Sequence, residues 1–176
     1  MPNISSNKVN YPFYICGKVV KGYGRGSKQL GCPTANIESD VVDSIELSNG
    51  IYYGFAQLQI RESEIKPDID YVNFTQFKNV KVSPIYMMCC SLGTNPYFNN
   101  KTKSLEVHIL NQFDYDFYDC FLRVAICGFI RCEKNFNSLQ ELIDAIHSDI
   151  ELTKQQLQDK DKWRSVVENG FFVRTY

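Results

Sequence analysis

Gly50-Ile-Tyr-Tyr-Gly-Phe-Ala-Gln-Leu-Gln-Ile60 ends in strict alternation: Phe55, Gln57 and Gln59 fall on one side of an extended chain, Ala56, Leu58 and Ile60 on the other. Side chains of a strand point alternately to its two faces, so this stretch predicts a half-buried strand. Working outward, Phe13–Val20, Ile85–Leu92, Leu105–Leu110 and Phe121–Ile130 read the same way. In the last of these, Leu122, Val124, Ile126 and Ile130 are expected on one face. One helix is predicted: after Asn137, Ser138 and Glu141 form a capping box, and Leu139, Leu142, Ile143, Ile146, Ile150 and Leu157 follow a 3.6-residue period. Strands joined by connections too short for crossover helices must pair antiparallel. The expectation is a mainly β fold, a closed or partly closed antiparallel barrel of five or six strands, with a C-terminal amphipathic helix packed on it.

The 176-residue chain, 44% hydrophobic, is read as one domain over residues 11–176 behind a frayed, disordered leader at 1–10. Residues 61–82 mix charge, isolated aromatics and Pro67 without a sustained period, and are expected to form a surface insertion with at most a short strand inside. The net charge of −1 gives no global field for nucleic acid or an anionic membrane. Residues 1–37 nevertheless carry Lys8, Lys18, Lys21, Arg25 and Lys28 with no acid, a local excess that suits one small polyanion. The seven cysteines include no Cys-x-x-Cys pair and have two histidines for company, which argues against zinc. With neither a signal segment nor an apolar run of about 20 residues, the expectation is a cytoplasmic monomer with reduced thiols.

Three groups of residues could carry chemistry. The loop Gly22-Tyr-Gly24-Arg-Gly26-Ser-Lys28 offers unobstructed backbone N–H groups and cations, as a phosphate chain requires, or is a glycine-rich hairpin with solvated lysines. It is neither a Walker A loop nor a dinucleotide fingerprint. Pro33-Thr34-Ala35-Asn36 places a hydroxyl and an amide oxygen two positions apart, on one side of an extended segment. Both are neutral oxygen ligands that suit Mg²⁺ already carrying phosphate charge; the other reading is a turn in which they bond their own backbone. Glu106 and His108 share one side of a strand whose other side carries Leu105, Val107 and Ile109. That carboxylate is either functional or part of a solvated face, and His108 reads as a structural hydrogen-bond partner.

Taken together, the sequence resembles the single-function riboflavin kinases of eukaryotes from about Tyr11 to Phe172. The resemblance is carried by GRGSKQLGCPTANI (Gly24–Ile37), GIYYGFA (Gly50–Ala56), NPYFNNKTKSLEVHIL (Asn95–Leu110), DFYDCFLRVAICGFIRCEKNF (Asp116–Phe136) and the final helix. It implies a six-stranded antiparallel Greek-key barrel and transfer of the γ-phosphoryl group of ATP to the 5′-hydroxyl of riboflavin, giving FMN and ADP. It further implies Mg²⁺, or another divalent ion, at Thr34 and Asn36, and ATP contacts at Gly22, Lys28, Thr34, Ile109, Asn111 and Tyr118. Glu106 falls at the catalytic position, and Arg131, Lys134 and Phe136 at flavin positions. No nucleic acid or membrane partner is implied. The sequence departs from the family pattern at Thr94, where an aromatic is common, at Asn111 for His, at Cys132 for Pro, and in the longer 61–82 connection. Larger bacterial relatives add an adenylyltransferase, for which the leader is expected to be too short.

Overall fold

The computed structural model describes residues 9–22, 31–94 and 102–174. Most of the predicted leader and the glycine loop at 23–30, with Lys28, lie outside the described residues. The strands are β1 (Phe13–Val20), β2 (Ala35–Ile37), β3 (Gly50–Arg61), β4 (Thr75–Phe77), β5 (Val80–Val82), β6 (Tyr86–Thr94), β7 (Lys103–Ile109) and β8 (Phe121–Arg131). They pair antiparallel in the order β4-β5-β3-β6-β7-β2-β1-β8, and β3 pairs β8 as well, which closes β3, β6, β7, β2, β1 and β8 into a six-stranded barrel. β3, β6 and β7 are successive neighbours while β2 lies on the far side of β7, so the connection from β2 to β3 crosses one barrel end as a Greek key. That connection carries α1 (Ser39–Val42) and fully buries Val42 and Ile45 as a plug.

The alternation read in β3 sets its inward face, but the strand is not half-buried: Phe55 and Gln57 on the other side are buried as well, under the C-terminal segment. Ala56, Leu58 and Ile60 are fully buried, and Ala56 and Leu58 meet Met88, Leu92, Leu105, Val107, Leu122 and Val124 in the interior. Gly54 leaves room for its neighbours: a Cβ there would overlap the Ala125 carbonyl of β8 and lie 2.8 Å from Met88 Cε. The register between these strands shifts twice, at Ile51/Tyr52 and Tyr53/Gly54. Leu122, Val124 and Ile126 share the inward face as predicted, but the shifts take Ile130 off it. Phe129, not Ile130, pairs with the inward Tyr52, and Arg131 pairs with the outward Ile51.

α2 (Leu139–Leu157) begins as the capping box predicts, with Ser138 Oγ accepting from the Glu141 N–H at 3.2 Å. Of the predicted stripe, Leu157 is buried and Leu142, Ile143, Ile146 and Ile150 are half-buried, but Leu139 is 61% exposed, and the other buried positions are the polar Asp149 and Thr153. A polar residue can take the inward line because Arg131 of β8 satisfies Asp149. A further helix, α3 (Lys160–Glu168), was not predicted, although Asp159 caps it by accepting from the Asp161 and Lys162 N–H groups. Its apolar residues are too few for the period to stand out. Trp163 stands edge-on to Tyr53 and Phe55, and the tail returns to the barrel, where Gln57 bonds both the N–H and the carbonyl of Val173. Among the described residues, no helix is long and apolar enough to cross a membrane.

Residues 61–82 are more ordered than a plain loop. A 3₁₀ turn at Glu62–Glu64 leads to the β4–β5 hairpin, and β5 extends the barrel by pairing with Gln59–Arg61. Tyr71 is buried beside Ile60 and Cys120.

Candidate active site

The site grows from one strand pairing. Ala35 lies opposite Val107 and Asn36 opposite Glu106. Opposed residues share a face, so Ala35 and Val107 enter the core while Asn36 and Glu106 point outward. Thr34 precedes β2, and its Oγ1 donates to Glu106 Oε2 at 3.2 Å across 72 positions of sequence. The start of β2 at Ala35 sets aside the turn reading of Pro33–Asn36. His108, next on the outward face of β7, contacts the Pro33 carbonyl through Nδ1 at 2.8 Å. With Nδ1–H donating, the ring fixes the approach to Thr34. Gly22 completes the group, because a Cβ there would overlap the Asn36 amide.

Two clefts open from this point. The first, about 240 Å³, runs from Thr34 and Ile109 to Asn111 and the 113–118 segment with Phe113, Tyr115, Phe117 and Tyr118. The second, about 300 Å³, lies between the outer face of the barrel and α2, and is lined by Glu106, His108, Cys89, Arg131, Lys134 and Phe136 among others. Thr34 lines both. The structure therefore gathers Ile109, Asn111 and Tyr118 on one side of Thr34, and Glu106, Arg131, Lys134 and Phe136 on the other. Gly22 and Asn36 stand behind the junction and line neither cleft.

The second cleft sets two cations, Arg131 and Lys134, among the carboxylates of Glu106, Glu133 and Asp149 and an apolar remainder. Asp149 holds the Arg131 guanidinium by two bonds, Nε to Oδ1 at 2.9 Å and Nη2 to Oδ2 at 2.7 Å. Arg131 and Lys134 both lie over the Phe136 ring, at 5.8 and 5.1 Å from its centroid. Burial raises the Glu133 carboxyl above the usual range and the charge of Glu106 adds to this, while Arg131 opposes it. Burial also pushes the Cys89 thiol up to about 12, so it serves as wall and not as a nucleophile. Asp149 and Glu133 escaped the sequence reading, whereas His108 is the hydrogen-bond partner it was read as, with the Pro33 carbonyl opposite it. Asp149 left one signal: a carboxylate three residues after Ile146 and four before Thr153, on an otherwise inward line.

The first cleft is the more enclosed of the two and is aromatic. Phe113 meets Phe117 at 5.1 Å and Tyr115 at 6.0 Å, both edge-on, and Lys21 Nζ sits 5.9 Å over the Tyr118 ring. The Asn111 side chain donates to the Gln112 carbonyl at 2.9 Å. Such a cleft suits a planar base, with the basic Lys21 at its margin for an anionic tail. Among the described residues no group of three or more His, Cys, Asp or Glu could hold a metal. The neutral oxygens of Thr34 and Asn36 fit a hard divalent cation whose remaining ligands come from phosphate.

The family model for flavokinase, described as riboflavin kinase, matches residues 9–157. The chain is 43% identical over 163 residues to a riboflavin kinase of Mus musculus, covering 92% of this chain and 90% of that one. It is 42% identical to a riboflavin kinase of Homo sapiens with the same coverage. Among solved structures, the riboflavin kinase of Trypanosoma brucei superposes with a TM-score of 0.65 at 27% identity, covering 95% of this chain and 96% of that one.

Proposed function

The chain belongs to the riboflavin kinase family and phosphorylates riboflavin to FMN; from that premise we propose that ATP occupies the first cleft, riboflavin the second, and that the phosphoryl group crosses at Thr34. The observation that carries this reading is that Thr34 lines both clefts and is hydrogen-bonded to Glu106. Ile109, Asn111 and Tyr118 then face the nucleotide. Gly22 and Lys28 belong to the phosphate loop, and Arg131, Lys134 and Phe136 face the flavin. Thr34 and Asn36 would hold Mg²⁺, which supplies charge neutralisation for the phosphate oxygens when bound.

Phosphoryl transfer asks a protein mainly to position groups and to spread charge. Glu106 faces the second cleft from the junction, so its carboxylate orients the ribityl 5′-hydroxyl and accepts its proton as the oxygen bonds to phosphorus. The Thr34 hydroxyl, donating to Oε2, steadies the carboxylate before substrate arrives. His108 and the β2–β7 pairing keep Thr34 in place, and Arg131, anchored by Asp149, presents a fixed cation to the flavin side. The proposal extends to a cytoplasmic monomer: all seven cysteines are free, which supports a reducing compartment.

The test is Glu106→Gln, measured as single-turnover FMN formation at saturating substrates, with riboflavin affinity followed by fluorescence quenching. General-base contributions span about 10²–10⁴ in rate, and the loss should fall near the low end because glutamine still holds the hydroxyl. Unchanged turnover would show that the proton goes directly to a phosphate oxygen. Collapse of riboflavin binding would make Glu106 a substrate-binding residue.

A further inference from the structure

The 61–82 segment reaches the active site through aromatic rings. Tyr71 is buried to 9% exposure, backed by Ile60 and Cys120, and its hydroxyl accepts the Lys66 N–H at 3.1 Å. It stands edge-on to Tyr115, with centroids 5.2 Å apart at 73°. Tyr115 in turn meets Phe113 at 6.0 Å, and Phe113 meets Phe117 at 5.1 Å. Tyr115, Phe113 and Phe117 all line the first cleft, whereas Tyr71 does not. The segment carrying those three rings, between β7 and β8, has no strand or helix of its own over residues 110–120. Backbone bonds hold its two ends, Leu110 to Met87 and Asp119 to Val19, and between them the three rings are placed by side-chain packing, which the insertion supplies on this flank. Burial of Tyr115 against this aromatic group also pushes its hydroxyl up to about 12, as expected for a phenol packed in apolar surroundings.

We propose that Tyr71 is a positioning residue for the phosphate donor: its ring braces Tyr115, and through it Phe113 and Phe117, so that the longer connection of this chain sets affinity for the nucleotide without touching it. The inference rests on the assignment of the first cleft to ATP. It departs from the expectation of a plain surface insertion. A surface excursion needs no buried tyrosine, and this one places a ring against the wall of a substrate cleft.

The experiment uses the full chain and the variants Tyr71→Ala, Tyr71→Phe and Tyr118→Ala, with KM for MgATP, kcat and riboflavin affinity measured for each. Losing one aromatic brace should raise KM for MgATP about 3- to 10-fold in Tyr71→Ala. Its kcat should stay within about twofold and its riboflavin affinity should not move, because the second cleft is untouched. Tyr71→Phe, which keeps the ring, should behave as the parent. If Tyr71→Ala does not fold, Tyr71→Leu, which keeps apolar bulk without a ring, decides by the same readout. An unchanged KM for MgATP at position 71 together with a raised one in Tyr118→Ala overturns the brace and leaves the cleft assignment standing. An unchanged KM in Tyr118→Ala refutes the cleft assignment, and the brace falls with it.

Discussion

Asp149→Ala tests how the flavin-side cation is held. Asp149 has only 8% of its side chain exposed and Arg131 23%, and two bonds of 2.9 and 2.7 Å join them. Removing one partner of a buried pair costs about 3–5 kcal/mol, chiefly because the other charge stays behind unpaired. Arg131 is partly wetted and keeps its Nη1 bond to the Cys132 carbonyl at 3.2 Å, so we discount the loss to about 2–3 kcal/mol. Arg131→Met should cost more, about 3–4 kcal/mol, since the carboxylate it strands is the deeper of the two. The double variant Arg131→Met/Asp149→Ala leaves no charge uncompensated and should recover much of the loss. At about 2–4 °C per kcal/mol for a chain of this size, Asp149→Ala should melt roughly 4–12 °C below the parent. The assay is urea unfolding of the four proteins as a double-mutant cycle, with riboflavin affinity measured alongside. Additivity of the single variants within about 0.5 kcal/mol would refute the coupling and reduce the pair to a surface contact.

Thr34→Val and Asn36→Ala should each raise the Mg²⁺ concentration needed for half-maximal activity while leaving riboflavin affinity in place; unchanged Mg²⁺ dependence in both would end their assignment as ligands. Cutting the chain before Ser138 should abolish soluble expression. It uncovers Phe55, Ala125 and Cys127 and strips the buried Gln57 of both bonds to Val173, and burial at about 1.5–3 kcal/mol per large apolar side chain rivals the stability of a whole domain. A cooperatively folding truncation would contradict this. Iodoacetamide at pH 8 should label the exposed Cys16 and Cys132 before the five buried thiols, as read by peptide mass mapping. Burial holds the thiols of Cys89 and Cys127 at about 12 and that of Cys120 at about 11, so their reactive thiolates appear only as pH approaches those values or the fold opens. Rapid native labelling of Cys89 would show that the second cleft is wetter than its packing indicates.

Local chemistry in the sequence determined a good deal. The period-two pattern set Ala56, Leu58 and Ile60 on one side of their strand, and Glu106 and His108 on the side opposite Leu105, Val107 and Ile109, because pleating turns each side chain away from its neighbours whatever the sheet around it. The capping box placed the start of α2. The specific motif around Pro33–Asn36, through its resemblance, selected the residues that gather at Thr34. Tertiary structure alone decided what depends on residues distant in the chain. The Thr34–Glu106 bond spans 72 positions and exists because β2 pairs β7 in one register. Arg131 reaches the outward face after two register shifts opposite β3, which no alternation in β8 announces. Asp149 became an inward residue because a cation from β8 awaited it, so the buried line of α2 is not its most apolar one. Tyr71, in a segment without period, found its role only because the barrel brings residue 71 beside residue 115. A pattern of neighbours along the chain fixes which way a side chain points; only closure of the sheet fixes what it points at.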